Sequence, residues 1–394
     1  MCQFFFNPDR QPEPQWDDTT RDLFEADDIV PLHSSLEEYQ PTPLVSLPAL
    51  AKHLHLRRIL IKDESHRFGL KAFKALGSSY AIYRVLSERL QAEGKQPPAA
   101  GDFYAVSDLI EKGRYTFCTA TDGNHGRGVA WTARKLGQKA VIYMPEGTVP
   151  ARIANIESEG AEVIVVDGDY DEAVRQAAED SAENGWQIIS DTSWPGYEQI
   201  PRWIMAGYMT MFYEIGEAFE DDIDVVFVQA GVGALAGAAA YYFNRKARWP
   251  GPKIISLEPT SAACVMGSMQ TEERQPITLS LPQDSIMAGL NCATPSIVCW
   301  PLVRYGFDMF MTLSDAHARW AMTTYHRPYG DDPQIISGES GAAGLGALLA
   351  LCELDKASEA REKLRLGEGS TVLLLNTEGD TDPVSYRRIC RIND

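Results

Sequence analysis

The sequence predicts an α/β fold of two open, mostly parallel sheets flanked by helices, divided between a larger and a smaller domain. Three observations predict it. Short β-branched or apolar runs alternate with helix-spaced segments twice, over 115–191 and again over 225–377, and repeated strand–helix alternation gives parallel strands covered by helices. A polar, proline-rich break, KQPPAAG at 95–101, marks a crossing between domains. The length, 394 residues, exceeds what one compact core sustains.

Residues 1–57 read as an irregular, proline-spotted arm with one short helix over 48–56, where Pro48 suits the first turn. The apolar run Arg58-Ile59-Leu60-Ile61 then leads through Lys62-Asp63-Glu64 and a Gly69-Leu70 turn into a long helix reaching about Gly94. Strands follow at 115–121, 139–144, 161–167 and 186–191, each closed by turn-forming residues. Helices over 126–136, 149–160 and 170–185 separate them, each with a glycine at or just after its end. Residues 195–219 read as a loop and a helix rich in Met and aromatics, placed in the core. The second block has strands at 225–230, 253–258, 308–312 and 372–377, and helices at 235–247, 314–325 and 341–350, around a polar loop at 271–296. The larger domain is therefore expected from 1–95 with 210–394, and the smaller from 96–209.

Charge narrows the partners. A net charge of −19 argues against nucleic acid and anionic membrane surfaces, and no apolar tract is long enough to span a bilayer. The opening MCQFFF is too short and uncharged for a signal peptide, so a cytoplasmic protein is expected. Seven cysteines stand at 2, 118, 264, 292, 299, 352 and 390 without a C-x-x-C pair, which suggests neither a metal site nor a redox motif. Cys264 and Cys292 can meet in space, but free buried thiols suit a reducing compartment better.

Three stretches carry chemistry. Lys74, in KAFKALG, sits where a strand and loop enter a helix. The positive end of a helix dipole disfavours an ammonium there and favours the neutral amine that attacks carbonyls; two solvated turn lysines, Lys71 and Lys74, are the bland alternative. Thr121-Asp122-Gly123-Asn124-His125-Gly126 occupies a strand-to-helix turn, at the sheet edge where α/β proteins bind ligands. Asn124 can donate to a phenolate or carbonyl oxygen, while Thr121 and the N–H groups of 123–125, including Gly123, suit a carboxylate. His125 has no evident partner acid and is read as structural. Gln229-Ala-Gly-Val-Gly-Ala-Leu-Ala-Gly follows a strand and opens a helix, so its N–H groups suit a phosphate. A dinucleotide site, with Glu258 as the ribose-binding acid, stays open, although the spacing is G-x-G-x-x-x-G; so does tight helix–sheet packing with no ligand.

Taken together, a Phe-Lys at a helix start, a G-N-H-G turn and a glycine-rich phosphate loop, in that order, resemble the fold-type II pyridoxal phosphate enzymes, such as threonine dehydratase, serine racemase and tryptophan synthase β. Within that group KAFKALGSSYA, ATDGNHGRGVAW, DTSWPGYEQIP, AGLNCATPS and NTEGDTDP look like the diaminopropionate ammonia-lyases, over nearly the whole chain. The resemblance implies pyridoxal 5'-phosphate held by Lys74 as a Schiff base. It implies a phosphate cup of Gly231, Val232, Gly233, Ala234 and Leu235, Asn124 on the ring hydroxyl, and Thr377 on the pyridine nitrogen, leaving the ring largely neutral. Glu258 then loses its ribose role and becomes structural. A small amino-acid substrate and a homodimer follow, with residues 2–6 as a subunit contact.

One departure is informative. Threonine dehydratases carry a small residue where this chain has Asp122, and Asp191 adds a second carboxylate in DTSW. Either can serve as a general base or hold an ammonium group. A hydroxyl leaving group gives them no clear task, whereas the β-amine of 2,3-diaminopropionate must leave protonated. Elimination to pyruvate and two ammonia is therefore expected, with Lys74 and Asp122 serving opposite enantiomers. Asp191 as a simple turn cap, a serine or threonine dehydratase and a β-replacement synthase are the alternatives.

Overall fold

In a computed structural model of the chain, the described residues are 2–121, 123–245, 251–280, 282–354 and 357–392. Eleven strands run in chain order: β1 (Gln3–Phe6), β2 (Leu44–Ser46), β3 (Arg58–Asp63), β4 (Thr116–Ala120), β5 (Lys139–Pro145), β6 (Glu162–Val166), β7 (Gln187–Ile188), β8 (Val225–Gln229), β9 (Lys253–Pro259), β10 (Met309–Leu313) and β11 (Thr371–Asn376). All eight strands expected from the alternating blocks form. They divide between two compact units, one of Met1–Asp17, Pro41–His66 and Met211–Asp394, the other of Asp18–Gln40 and Arg67–Thr210.

The first unit holds a seven-stranded sheet ordered β1-β10-β9-β8-β11-β3-β2. Its five central strands are parallel, and the outer β1 and β2 pair antiparallel to β10 and β3. Strands β8, β10 and β11 are buried at every position, as expected of a parallel sheet covered on both faces, and they read as unbroken apolar runs for that reason. Leu345, Leu348 and Leu349 of the helix Ala343–Glu353 pack in one core with Val225, Phe227, Ile255, Met311 and Leu374 of the strands. Within the stretch expected as an irregular arm, Gln3–Phe6 form the sheet-edge strand β1, and Cys2 before it is buried. The alternation of apolar and polar residues is too short there to be read in the sequence.

The second unit holds the parallel sheet β6-β5-β4-β7. Strand β7 is shorter than the expected 186–191 because the Tyr197 hydroxyl replaces a ladder partner. It accepts from Ser190 N–H (2.8 Å) and donates to the Ile188 carbonyl (3.0 Å), turning the chain away before Asp191. The helix Lys74–Ala92 is buried nearly all round, so it is a central element rather than a surface one. It packs on the helices Asn124–Lys135 and Gln199–Gly207, with little room: a Cβ on Gly77 would meet Ile204 Cγ2 at 2.6 Å, and one on Gly207 would meet the Leu76 carbonyl oxygen at 2.3 Å. Those contacts explain why residues 67–95, assigned to the larger domain in the sequence reading, cluster with the smaller one. The short helices Asp18–Phe24 and Ile29–Ser34, absent from that reading, also belong to this unit.

Candidate active site

Lys74 opens its helix, and Phe73 stands before it without a side-chain cap. Lys71, three residues earlier, adopts φ +59° and is exposed. The Lys74 ammonium therefore faces the positive end of a dipole, which costs free energy unless a negative charge answers it. Asp191 answers it: Lys74 Nζ donates to Asp191 Oδ2. Burial raises the Asp191 carboxyl, but the Lys74 charge and then His125 outweigh it, leaving the group below the usual carboxylate range and ionised. Asp191 comes near the turn that carries His125 because Asp191 follows β7 and that turn follows β4, neighbouring parallel strands whose carboxyl ends share one edge.

His125 completes the cluster. Its Nε2 donates to the Ile189 carbonyl (2.7 Å), and that bond makes Nδ1 the acceptor of the neutral ring. Nδ1 is buried without a hydrogen-bond partner among the described residues and lies 4.0 Å from the same Asp191 Oδ2. Burial holds the imidazolium below its ordinary value; Asp191 opposes that shift and the Lys74 charge adds to it. Tyr208, fully buried, packs its ring on Phe73 (centroids 4.8 Å) and leaves its hydroxyl without a partner among the described residues. Burial raises the phenol well above its ordinary value, so it remains protonated. Sequence reasoning did not bring His125 to a carboxylate, and it placed Tyr208 in the core, where the ring is buried. His125 had no visible acid, and Tyr208 lay in a stretch whose aromatics read as core.

The G-N-H-G turn departs from expectation in detail. The Thr121 hydroxyl oxygen accepts the N–H groups of Gly123 (3.0 Å) and Gly126 (3.3 Å), so Thr121 and Gly123 hold the turn instead of presenting a free carboxylate cradle. Asn124 is the first residue of its helix, and the Arg152 side chain lies over Gly123. Asp122 lies outside the described residues.

In the first unit, the loop at Gly231, Val232 and Gly233 opens the helix Ala234–Arg245, whose first turn includes Leu235. A helix N-terminus offers unpaired N–H groups to an anion. Space at the loop is shaped by glycine: a Cβ on Gly233 (φ +98°) would sit 2.7 Å from Cys299 Sγ, and one on Gly231 3.0 Å from Cys292 Sγ. Cys264 Sγ also faces the Gly231 carbonyl at 3.7 Å. No disulfide is assigned to any of the seven cysteines. Glu258 accepts from the N–H groups of Val265 (2.7 Å) and Met266 (2.8 Å), which makes it a cap on the next helix and excludes a ribose role. Thr377 follows β11 and is buried. Beside it, Gln229 Oε1, Ser340 Oγ and Asn376 Oδ1 are buried and unpartnered, although Gln229 Nε2 reaches the carbonyls of Ser340, Gly341 and Leu375.

These features fit pyridoxal phosphate. An amine beside a carboxylate, orphaned buried oxygens and a buried hydroxyl for a ring nitrogen, and a glycine cradle at a helix N-terminus for a phosphate are the groups it requires. No group of three or more His, Cys, Asp or Glu among the described residues is arranged to hold a metal ion.

Comparison with known proteins agrees. The family described as "Pyridoxal-phosphate dependent enzyme" matches residues 36–378. Diaminopropionate ammonia-lyase of Salmonella typhimurium is 41% identical over 368 residues, covering 92% of this chain and 91% of its own. The crystal structure of Escherichia coli diaminopropionate ammonia lyase in complex with D-serine superposes with a TM-score of 0.88 at 37% identity, covering 99% of this chain and 97% of that one. The same Escherichia coli protein in complex with an aminoacrylate-PLP azomethine reaction intermediate gives 0.87 at 37% identity, covering 99% and 97%.

Proposed function

This chain belongs to the pyridoxal-phosphate dependent enzymes, and we propose that it eliminates ammonia from 2,3-diaminopropionate, giving pyruvate and two ammonia. The observation that carries the reading is the ionised Asp191 beside Lys74. A substrate losing an ammonium group needs such a carboxylate, and one losing a hydroxyl does not. Similarity to diaminopropionate ammonia-lyases over nearly the whole chain supports it.

Lys74 would hold the cofactor covalently, with Gly231, Val232, Gly233, Ala234 and Leu235 on its phosphate, Asn124 on its ring hydroxyl and Thr377 on its ring nitrogen. When bound, pyridoxal phosphate supplies an electron sink for the α-carbon. Lys74 takes the α-proton of one enantiomer and Asp122 that of the other. Asp191 holds the cationic β-nitrogen as its carbon–nitrogen bond breaks and the electron pair leaves with nitrogen. A cytoplasmic homodimer goes with this reading. No helix among the described residues is long and apolar enough to cross a membrane.

The purified chain should be yellow with pyridoxal phosphate, and borohydride should fix the label on Lys74. Pyruvate should form from both D- and L-diaminopropionate. A colourless protein that the cofactor cannot restore overturns the assignment. Faster turnover of serine would favour a dehydratase, the second reading, which the D-serine complex of the Escherichia coli relative supports. Asp122→Asn should damage one enantiomer far more than the other, and equal loss sinks the two-base scheme.

A further inference from the structure

Two nitrogens converge on one carboxylate oxygen. Lys74 Nζ donates to Asp191 Oδ2, and His125 Nδ1 faces that same atom from 4.0 Å. Nδ1 is buried with no hydrogen-bond partner among the described residues, and Nε2 is committed to the Ile189 carbonyl, so Nδ1 carries a lone pair on the side of an anion. Two acceptors facing each other in a buried place are short of one proton, and an unpaired buried acceptor is costly. Among the described residues, the Lys74 ammonium offers a proton to the same carboxylate oxygen.

We propose that His125 takes the ammonium proton of Lys74 and stores it against Asp191, releasing Lys74 as the neutral amine that bonds a carbonyl carbon. The Nζ–H bond breaks and its electrons stay on Nζ. An Nδ1–H bond forms from the imidazole lone pair, and Asp191 is a carboxylate before and after. The cluster's net charge is unchanged, so the transfer adds no net charge to the buried site. His125 is a positioning residue in this scheme, acting through Lys74 and Asp191.

The charged groups facing the imidazole are Lys74, from the head of its helix, and Asp191, from the loop after β7. They act in opposite senses. While Lys74 is an ammonium it keeps His125 neutral; once Lys74 loses its charge, Asp191 alone acts and favours the imidazolium.

The inference rests on Lys74 being the cofactor's anchor, and its test separates the two claims. The full chain, freed of cofactor, is labelled in the rings of its seven histidines, with His125 assigned from His125→Gln. By NMR, the His125 titration midpoint should rise by about one pH unit or more in Lys74→Met, and fall again when Asp191→Asn is added. The same midpoint in the wild type and Lys74→Met overturns the proposal. In a second arm, pyridoxal phosphate is added to the cofactor-free chain, and capture at Lys74 is followed by absorbance and borohydride trapping. His125→Gln, whose longer amide keeps a donor at the Nε2 position for the Ile189 carbonyl, should slow capture about tenfold and shift its pH profile upward by about one unit. Wild-type rate and profile in that variant overturn it. A wild-type chain that captures nothing at Lys74 refutes the functional reading instead, and the NMR arm still decides for His125. Should His125→Gln fail to fold, Lys74→Met with intact His125 carries the test.

Discussion

Gly207→Ala is a demanding test because one methyl group joins packing to chemistry. Gly207 ends the helix Gln199–Gly207, and a Cβ there would lie 2.3 Å from the Leu76 carbonyl oxygen and 2.9 Å from Gly77 Cα, where ordinary contact starts at 3.4 Å. Both obstacles are backbone, so no side chain can rotate away. The helices would have to part by about 1 Å, and overpacking of this kind costs about 1–3 kcal/mol. Thermal unfolding should then fall by about 2–4 °C for each kcal/mol. Leu76 lies two residues after Lys74, so the same displacement moves the amine, and a misplacement of about 1 Å can cost about 10²-fold in rate. The matched control is Gly367→Ala, where nothing lies within 4 Å of the added carbon; it should change stability by less than about 0.5 kcal/mol. Scanning calorimetry and pyruvate release from diaminopropionate measure the two effects. Alanine is intrinsically the better helix residue, so a Gly207→Ala protein as stable and as active as the wild type would refute the crossing geometry outright.

Two further outcomes concern the glycine loop at 231–233 and its surroundings. Burial pushes the Glu258 carboxyl up to about 8, from an ordinary 4.5, against its two backbone hydrogen bonds. The folded state therefore binds the proton that the unfolded state loses, and this contribution is complete below pH 4.5 and falls until about pH 8. Its full span is about 5 kcal/mol, so Glu258→Gln should flatten the fall in denaturation midpoint between pH 5 and 8, and an unchanged slope would contradict the burial argument. Gly233→Ala adds a Cβ at φ +98°, 2.7 Å from Cys299 Sγ; strain of about 1–3 kcal/mol should weaken pyridoxal phosphate binding about 5- to 150-fold. Equilibrium dialysis with unchanged affinity would exclude the cradle.

Much of the fold was legible because its signals are local. Buried parallel strands must be continuously apolar, and β8, β9, β10 and β11 announce themselves in that way. The glycine loop was legible because a turn packed this closely against its neighbours, here Cys292 and Cys299, excludes side chains at Gly231 and Gly233. Strand β1, with three half-buried phenylalanines in four residues, gave no period to read. The boundary near 95 failed for another reason. A proline-rich break signals an end of helix, but the unit a helix joins depends on what covers its faces.

The sequence by itself determined the kinds of chemistry available here: a lysine at a helix start, a polar strand-to-helix turn, a glycine cradle and carboxylates in excess. Each is a matter of local sterics and backbone polarity, written within about ten residues. Only the tertiary structure decided which groups act on one another. Asp191 reaches Lys74 across 117 positions, and it faces His125 because β7 lies beside β4 in the sheet order. Strand adjacency is settled by the packing of whole faces, and no short stretch of residues encodes it. For the same reason His125 changes from a turn residue without a partner into the neighbour of a buried carboxylate.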